Sequence, residues 1–212
     1  MSAVQKVEVY VFYFDVHGFI DQYLRNAGST LDHLRAFQRQ ARAEFCFSRP
    51  QTFVATLYDN VWARINVAQP GMPSLLLDFA GKVMRAATDQ GFPNFFGCIT
   101  KGWHDYDPDD RMLVAKESFE DLTAQHLDIT SEPHIRAVFA EKWAKLVTPN
   151  GSAVWVSSEV VDGESLSALA SLPESAFQLA GKWFDIGEGN PSGQPQWPFA
   201  QSRFHVIQAI DT

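Results

Sequence analysis

Cysteine is scarce in this chain, with Cys46 and Cys98 the only two among 212 residues. They form no metal-binding spacing and both lie in apolar surroundings, so we expect reduced core thiols and a cytoplasmic protein. No apolar run approaches the roughly 20 residues that span a membrane. The N-terminus has no basic segment followed by a cleavage site, so we expect no signal peptide.

Positive charge is also in short supply. Lysine and arginine total 17 against 25 aspartates and glutamates, which gives a formal net charge of −8. Since no basic stretch interrupts this balance, we expect no broad binding to nucleic acids or to anionic membranes. The chain also lacks a Gly-x-Ser-x-Gly sequence, a Cys/His pair and a P-loop, which leaves hydrolase and P-loop functions without support.

The chain has enough apolar sequence for one sizeable core. Hydrophobic residues make up 46% of it and charged residues 20%, as in ordinary globular proteins. The length suits one domain of fair size. We therefore predict a single domain over residues 1–212.

Hydrophobic patterns divide the chain into alternating strands and helices. The strand-like segments are "VEVYVFYF", "TFVATLY", "VWARINV", "FFGCITKGW", "AVWVSSEVV", "KWFDIGEG" and "RFHVIQAI". The helical segments are "STLDHLRAFQRQARAEF", "PSLLLDFAGKVMRAATDQ", "EPHIRAVFAEKWAKLV" and the short "SLSALASL". This order predicts an α+β fold with the ferredoxin-like βαββαβ plan, a mixed but mainly antiparallel sheet, packed helices and a C-terminal extension.

Local signals add detail to this plan. Ser29 or Thr30 is expected to cap the first long helix. Asp59-Asn60, between two strand-like runs, is typical of a hairpin turn. The helix over 132–147 carries large apolar residues on one face: Ile135, Phe139, Trp143 and Leu146.

Two acids lie where strand-like runs stop. Asp15 follows the run "VYVFYF", and Asp59 lies at the predicted hairpin turn. The first strand and the hairpin are neighbours in the ferredoxin-like plan, so both carboxylates could meet at one edge of the sheet. Converging carboxylates suit Mg²⁺ or Mn²⁺, with the backbone carbonyl of Val16 as a further ligand, and N–H groups of the adjacent glycine-containing loop can face phosphates. The alternative is that Asp15 caps the following turn and Asp59 is only a turn former.

Several short motifs resemble the catalytic domain of class III nucleotidyl cyclases, the adenylate and guanylate cyclase family. "YFDVHGF" resembles its first metal-binding signature, and "LYDNVWARI" resembles the second. "FGCITKG", the segment around "FAEKWAKLVTPNGSAVWVSSEVV" and the closing "FDIGEG…SRFHVIQAI" are similar to later parts of that domain. The sequences "YDNV" and "GCITKG" most resemble those of small stand-alone pyrimidine cyclases of Pycsar antiphage systems.

The resemblance implies a homodimer with sites at the subunit interface. In it, Asp15 and Asp59 hold two divalent ions, Mn²⁺ or Mg²⁺, which activate the ribose 3′-hydroxyl and neutralise the triphosphate. The implied phosphate-facing loop comprises His17, Gly18, Phe19 and Ile20. The implied reaction converts UTP or CTP to a 3′,5′-cyclic monophosphate and pyrophosphate, as a second messenger of antiphage defence.

Four positions depart from the family pattern. Val138 stands at the place of the transition-state Asn and Lys142 at that of the Arg, on the late helix. Asn94 lies near the base-reading Lys and Ser131 near the base-reading Asp. Two interpretations follow: a pyrimidine cyclase with a reworked base pocket, or a degenerate cyclase fold that acts as a nucleotide-binding or interaction module.

Overall fold

The computed structural model describes residues 5–45, 53–67, 71–92, 94–106, 131–147, 152–161, 177–186 and 202–209. Its elements in chain order are β1 (Gln5–His17), α1 (Phe19–Arg25), α2 (Ala27–Ala43), β2 (Phe53–Leu57), β3 (Asn60–Asn66), α3 (Met72–Asp89), β4 (Asn94–Tyr106), α4 (Glu132–Val147), β5 (Ala153–Ser157), β6 (Phe177–Ile186) and β7 (Ser202–Ala209). This order confirms the predicted α+β class. The short helix predicted at "SLSALASL" falls outside the described residues.

The described strands form one sheet in the order β2-β3-β1-β4-β5-β7-β6. Strand β1 pairs antiparallel with β3 on one side and with β4 on the other. Among the described pairings only that of β4 with β5 is parallel, so the sheet is mixed and mainly antiparallel, as predicted. The βαββαβ core supplies β2, β3, β1 and β4, and the later strands extend it beyond β4.

Strand β1 is buried on both faces because its apolar and aromatic residues occupy both sides of the pleat. Phe12 and Phe14 belong to the face that packs with Phe79 of α3 and Phe37 of α2. Val9 and Val11 belong to the opposite face, in the same apolar cluster as three alanines of α4. The helices therefore cover both faces of the sheet, and β1 is held between them.

Helix α4 contacts the sheet through small residues: Ala137, Ala140 and Ala144. The predicted apolar face is only partly the buried one, since Trp143 is buried while Ile135 and Leu146 are exposed. The reason is the close approach of the helix to β4. Gly102 has no side chain there, and a Cβ on it would lie 3.2 Å from the ring of Pro133. Alanines allow this spacing, and the larger side chains are displaced to the flank.

Two local predictions are wrong by a few residues. Helix α2 is capped by Asn26, whose side-chain oxygen accepts a hydrogen bond from the N–H of Ser29 (3.4 Å). The hairpin turn consists of Tyr58 and Asp59, because Asn60 already pairs with Leu57. In this register Val61, Ala63 and Ile65 lie in one core cluster and Trp62 lies in the other, so β3 is buried on both faces.

One of the two cysteines lies within the described residues. Cys98 is a buried free thiol, as predicted, and burial raises its pKa. Cys46 falls outside the described residues. Within the described ranges, no helix is both long and apolar enough to cross a bilayer.

Candidate active site

Asp15 lies inside β1, and the prediction that the strand ends there is wrong. The strand continues to His17, since Asp15 keeps its place between Asn60 of β3 and Phe96 of β4. The backbone is therefore paired on both sides although the side chain is acidic. The Asp15 side chain is 15% exposed, and by the alternation of the strand it follows Tyr13 on the face covered by α4. The acid is fixed by a central strand rather than by a loop.

Asn60 joins the two carboxylates that the sequence singled out. Its side-chain nitrogen donates to Oδ1 of Asp15 (3.0 Å) and to Oδ1 of Asp59 (2.8 Å). Its side-chain oxygen accepts from the hydroxyl of Tyr13 at 2.5 Å, which holds the amide with its nitrogen towards the acids. Because both acceptor oxygens bond to one nitrogen, they lie at most about 6 Å apart.

The hairpin turn is also tied to β1 through the backbone. The N–H of Val16 donates to the carbonyl oxygen of Asp59 at 3.1 Å. Tyr58 adopts a φ of 51° in this turn, a left-handed conformation that is uncommon for a bulky residue. The hydrogen bond and the turn together place Asp59 directly beside the end of β1.

A third acid and a lysine reach this site from α4. The ammonium of Lys145 forms ion pairs with Oδ2 of Asp15 and with Oε1 of Glu141. Glu141 lies one helical turn before Lys145, and only 2% of it is exposed. Since α4 lies directly over β1, the helix brings a cation to the strand from a position far along the chain. The site thus contains three carboxylates and one ammonium.

Burial and mutual repulsion shift the ionisation of these groups. Burial raises the pKa of Glu141 to about 7, although the ammonium of Lys145 opposes the change. Burial and the charge of Asp15 raise the pKa of Asp59. For Lys145, burial acts to lower the pKa, but its hydrogen bonds to Asp15 and Glu141 outweigh that effect and raise it. Burial and the neighbouring carboxylates raise the pKa of Tyr13, so its hydroxyl stays a hydrogen-bond donor.

The predicted phosphate loop follows the carboxylate site directly. Gly18 has a φ of 80° and forms the N-cap of α1 without a side-chain hydrogen bond. His17 is exposed and is the register partner of Asn94 at the start of β4. Phe19 is partly buried, whereas Ile20 is 69% exposed. The structure therefore places all four loop residues and Asn94 near the same end of the sheet as Asp15.

The remaining predicted positions lie on or beside α4, away from Asp15 and Asp59, although the charge of Lys142 acts on its neighbour Glu141. Lys142 is exposed on α4, and Val138 is half-buried and packs beside the alanine cluster. Ser131 precedes α4 and its hydroxyl lies 2.5 Å from Nδ1 of His134. From there to Lys145 is roughly 20 Å along the helix. Ser131 is therefore not brought to the acids of its own chain.

Sequence reasoning missed four residues of the site: Tyr13, Asn60, Glu141 and Lys145. The spacing of Glu141 and Lys145, one helical turn apart, indicates a helix-surface ion pair, but it does not show that the pair is buried. Asn60 was assigned to the turn, where its side chain had no predicted role. Nothing in the sequence pattern connects Lys145 with Asp15, because that contact depends on how α4 lies on the sheet.

The donor set fits a hard divalent cation. The carboxylates of Asp15 and Asp59 are oxygen ligands of the kind that Mg²⁺ and Mn²⁺ prefer, and both bond to the same amide nitrogen of Asn60. In the described part of the chain, no group of three or more His, Cys, Asp or Glu side chains forms a ready-made metal cluster. The cation already present in the structure is the ammonium of Lys145.

Comparison with known proteins identifies the fold. No family model matches the sequence, and no curated protein matches it. Solved structures do match. A bacterial light-regulated adenylyl cyclase aligns with a TM-score of 0.57 and 10% identity, over 97% of this chain and 91% of that one. A double mutant of the guanylyl cyclase domain of the RhoGC fusion protein from Blastocladiella emersonii aligns with a TM-score of 0.54 and 11% identity, over 98% and 99%.

A monomeric structure of that fungal domain gives a similar result, with a TM-score of 0.51 and 9% identity over 96% of this chain and 98% of that one. At such low identities, the likeness is one of fold. The chain has the fold of nucleotide cyclase catalytic domains, and this agrees with the resemblance read from its motifs.

Proposed function

We propose that this protein is a metal-dependent nucleotide cyclase. It converts a ribonucleoside triphosphate, with UTP or CTP preferred, to a 3′,5′-cyclic monophosphate and pyrophosphate. The observation that carries the proposal is that Asn60 bonds to both Asp15 of β1 and Asp59 of the adjoining hairpin turn, in a nucleotide-cyclase fold. Two repelling carboxylates kept side by side are stabilised by a cation between them, and the reaction needs one at this place.

The carboxylates of Asp15 and Asp59, with the backbone carbonyl of Val16, would hold two divalent ions, Mn²⁺ or Mg²⁺. When bound, such ions supply Lewis-acid activation of the ribose 3′-hydroxyl and neutralise the triphosphate. Tyr13 and Asn60 keep the carboxylates oriented through their hydrogen bonds. In the reaction, a bond forms between the 3′ oxygen and the α-phosphorus, the bond to the pyrophosphate oxygen breaks, and the hydroxyl proton is lost.

The loop after β1 is proposed to face the phosphates. Gly18 caps α1 without a side chain of its own, so nothing from the capping residue covers the N–H groups of the first helical turn. Backbone N–H groups in this position suit anions. The loop residues are His17, Gly18, Phe19 and Ile20, and Asn94 beside them is proposed to contact the nucleotide.

A homodimer with sites at the subunit interface is part of the proposal. Lys142 is exposed on α4, which leaves its ammonium available to a nucleotide bound mainly by the partner subunit. Exposed large apolar side chains near the site support an interface there. These are Ile20 and Leu24 of α1 and Leu57 and Tyr58 at the hairpin turn. The pyrimidine preference and the role in antiphage signalling rest on the amino-acid sequences of the motifs "YDNV" and "GCITKG".

A second candidate function is a cyclase-fold protein without turnover, acting as a nucleotide-binding or interaction module. The observation that favours it is the ion pair of Lys145 with Asp15, which satisfies a metal-binding acid from within the chain. Val138 also stands where the family pattern has the transition-state Asn. Loss of one preorganised donor of that kind costs about 10²–10³ in rate.

The two candidates are separated by one assay. Purified protein is incubated with Mn²⁺ or Mg²⁺ and each of ATP, GTP, CTP and UTP, and cyclic products are measured by mass spectrometry. A cyclase forms a product from at least one nucleotide, most from UTP or CTP. Asp15→Asn or Asp59→Asn should lower that rate by about 100-fold or more, while Asp32→Asn, on the exposed side of α2, leaves it unchanged. Product that survives both substitutions contradicts the metal mechanism, and nucleotide binding without product under either metal supports the second candidate.

A further inference from the structure

The ammonium of Lys145 stands at a carboxylate that the proposed function assigns to a metal ion. We propose that Lys145 is a resident cation of this site: held by Glu141, it occupies one of two cation positions at Asp15, so that the nucleotide-free protein binds one divalent ion and not two. This inference rests on the proposed function, because it concerns the cation positions of the same site. It assigns to Glu141 the role of a positioning residue.

The first argument is the geometry at Asp15. Its Oδ1 accepts from Asn60, and its Oδ2 is paired with Lys145. A divalent ion bound to Oδ2 would share that oxygen with the ammonium, and the two cations would repel each other at this short distance. Asp59 differs, since its Oδ1 accepts from the neutral amide of Asn60, and the charge of Lys145 is the smallest of the influences on it. The ammonium is therefore paired directly with one side of the carboxylate pair and acts on the other side only through space.

The second argument is that the lysine is held in place. An ion pair in which both side chains are largely exposed contributes little, since the charges are screened and the long side chains lose freedom. The Lys145 side chain is 24% exposed, that of Asp15 is 15% exposed, and that of Glu141 is 3% exposed. Glu141 has almost no access to water, so its charge depends on Lys145 for compensation. Lys145 is thus bound between two acids of different elements, and a departure would leave both without their cation.

The third argument is the charge balance. The ammonium of Lys145 already supplies one positive charge to the carboxylates of Asp15 and Glu141. One divalent ion can still bind on the Asp59 side, but a second one would stand beside the ammonium, where like charges repel.

Metal binding without nucleotide tests the inference directly. Chelator-treated protein is titrated with Mn²⁺, and free Mn²⁺ is followed by electron paramagnetic resonance. Wild type should bind one ion per chain. Lys145→Met should bind two, with the first bound about ten-fold more tightly or better, because the competing charge is gone. Lys82→Met, which removes an exposed lysine of α3, should behave as wild type.

The double variant Lys145→Met/Glu141→Gln guards against a failure to fold, since it removes both the cation and the buried acid that needs it. It too should bind two ions. Equal stoichiometry and affinity in wild type, Lys145→Met and the double variant would overturn the inference. If Asp15→Asn then still weakens Mn²⁺ binding, the metal site of the proposed function stands without it. If no variant binds Mn²⁺, both the inference and the metal site fail.

Discussion

The buried acid Glu141 makes the stability of the protein depend on pH in a direction opposite to that of an ordinary salt-bridged carboxylate. Its pKa is about 7 in the folded protein, against an ordinary value of 4.5. The folded state therefore holds the proton more tightly than the unfolded state. The stabilisation from the protonated form is fully present below about pH 4.5 and is lost as the pH rises through about 7.

The size of the effect follows from that difference. Each pKa unit corresponds to about 1.4 kcal/mol, so Glu141 should lower the free energy of unfolding by about 3 kcal/mol between pH 4.5 and pH 8. Replacement by Gln keeps the volume and removes the titration. The difference in unfolding free energy between wild type and Glu141→Gln should therefore change by this amount across the interval, in favour of the variant at high pH.

Urea unfolding followed by tryptophan fluorescence measures this, with a chelator present so that metal binding does not contribute. Glu132→Gln is the matched control, because that acid lies on the same helix but its side chain is 58% exposed. If the Glu141→Gln difference changes with pH no more than that of Glu132→Gln, Glu141 is not buried between α4 and the sheet, and the reasoning about its partner Lys145 fails with it.

Three further substitutions test the packing of the chain around the site. Gly97→Ala should lower the free energy of unfolding by about 1–3 kcal/mol, because its Cβ would lie 3.0 Å from Cγ2 of Val154 and 3.1 Å from the carbonyl oxygen of Tyr13. Gly28→Ala on α2, where a Cβ would meet nothing within 4 Å, should raise the free energy of unfolding by about 0.5–1 kcal/mol. Urea unfolding measures both changes. If the two substitutions shift the free energy of unfolding in the same direction, the close packing around Gly97 is contradicted. Tyr13→Phe removes the hydroxyl that donates to Asn60 and should lower the free energy of unfolding by about 1 kcal/mol, again measured by urea unfolding. An unchanged free energy of unfolding would show that the Asn60 amide is held without this hydrogen bond.

The sequence was most informative where one local pattern decides one element. The run of β-branched and aromatic residues in "VEVYVFYF" predicts a strand buried on both faces, and β1 has this property. The helix over 132–147 was predicted with its observed bounds. The predicted α+β fold is confirmed, because the fold class follows from the sequence of helices and strands along the chain.

The errors arose where tertiary contacts decide between local alternatives. Asn26 was not predicted as the cap of α2, because a Ser and a Thr three and four residues later are equally good candidates by type. The face of α4 that meets the sheet was misjudged because Gly102 allows a close approach, which favours alanine over the larger apolar residues. The role of Lys145 depends on that same approach, so the sequence pattern alone could not supply it.

The contact between Lys145 and Asp15 joins residues from opposite parts of the chain, and this has a consequence during synthesis. The ribosome releases β1 and the hairpin before α4, and a domain folds as a unit. Asp15 can therefore gain its ammonium only after residue 145 has left the ribosome and α4 has docked on β1. A chain that stops before residue 145 would lack the cation that Lys145 brings to Asp15.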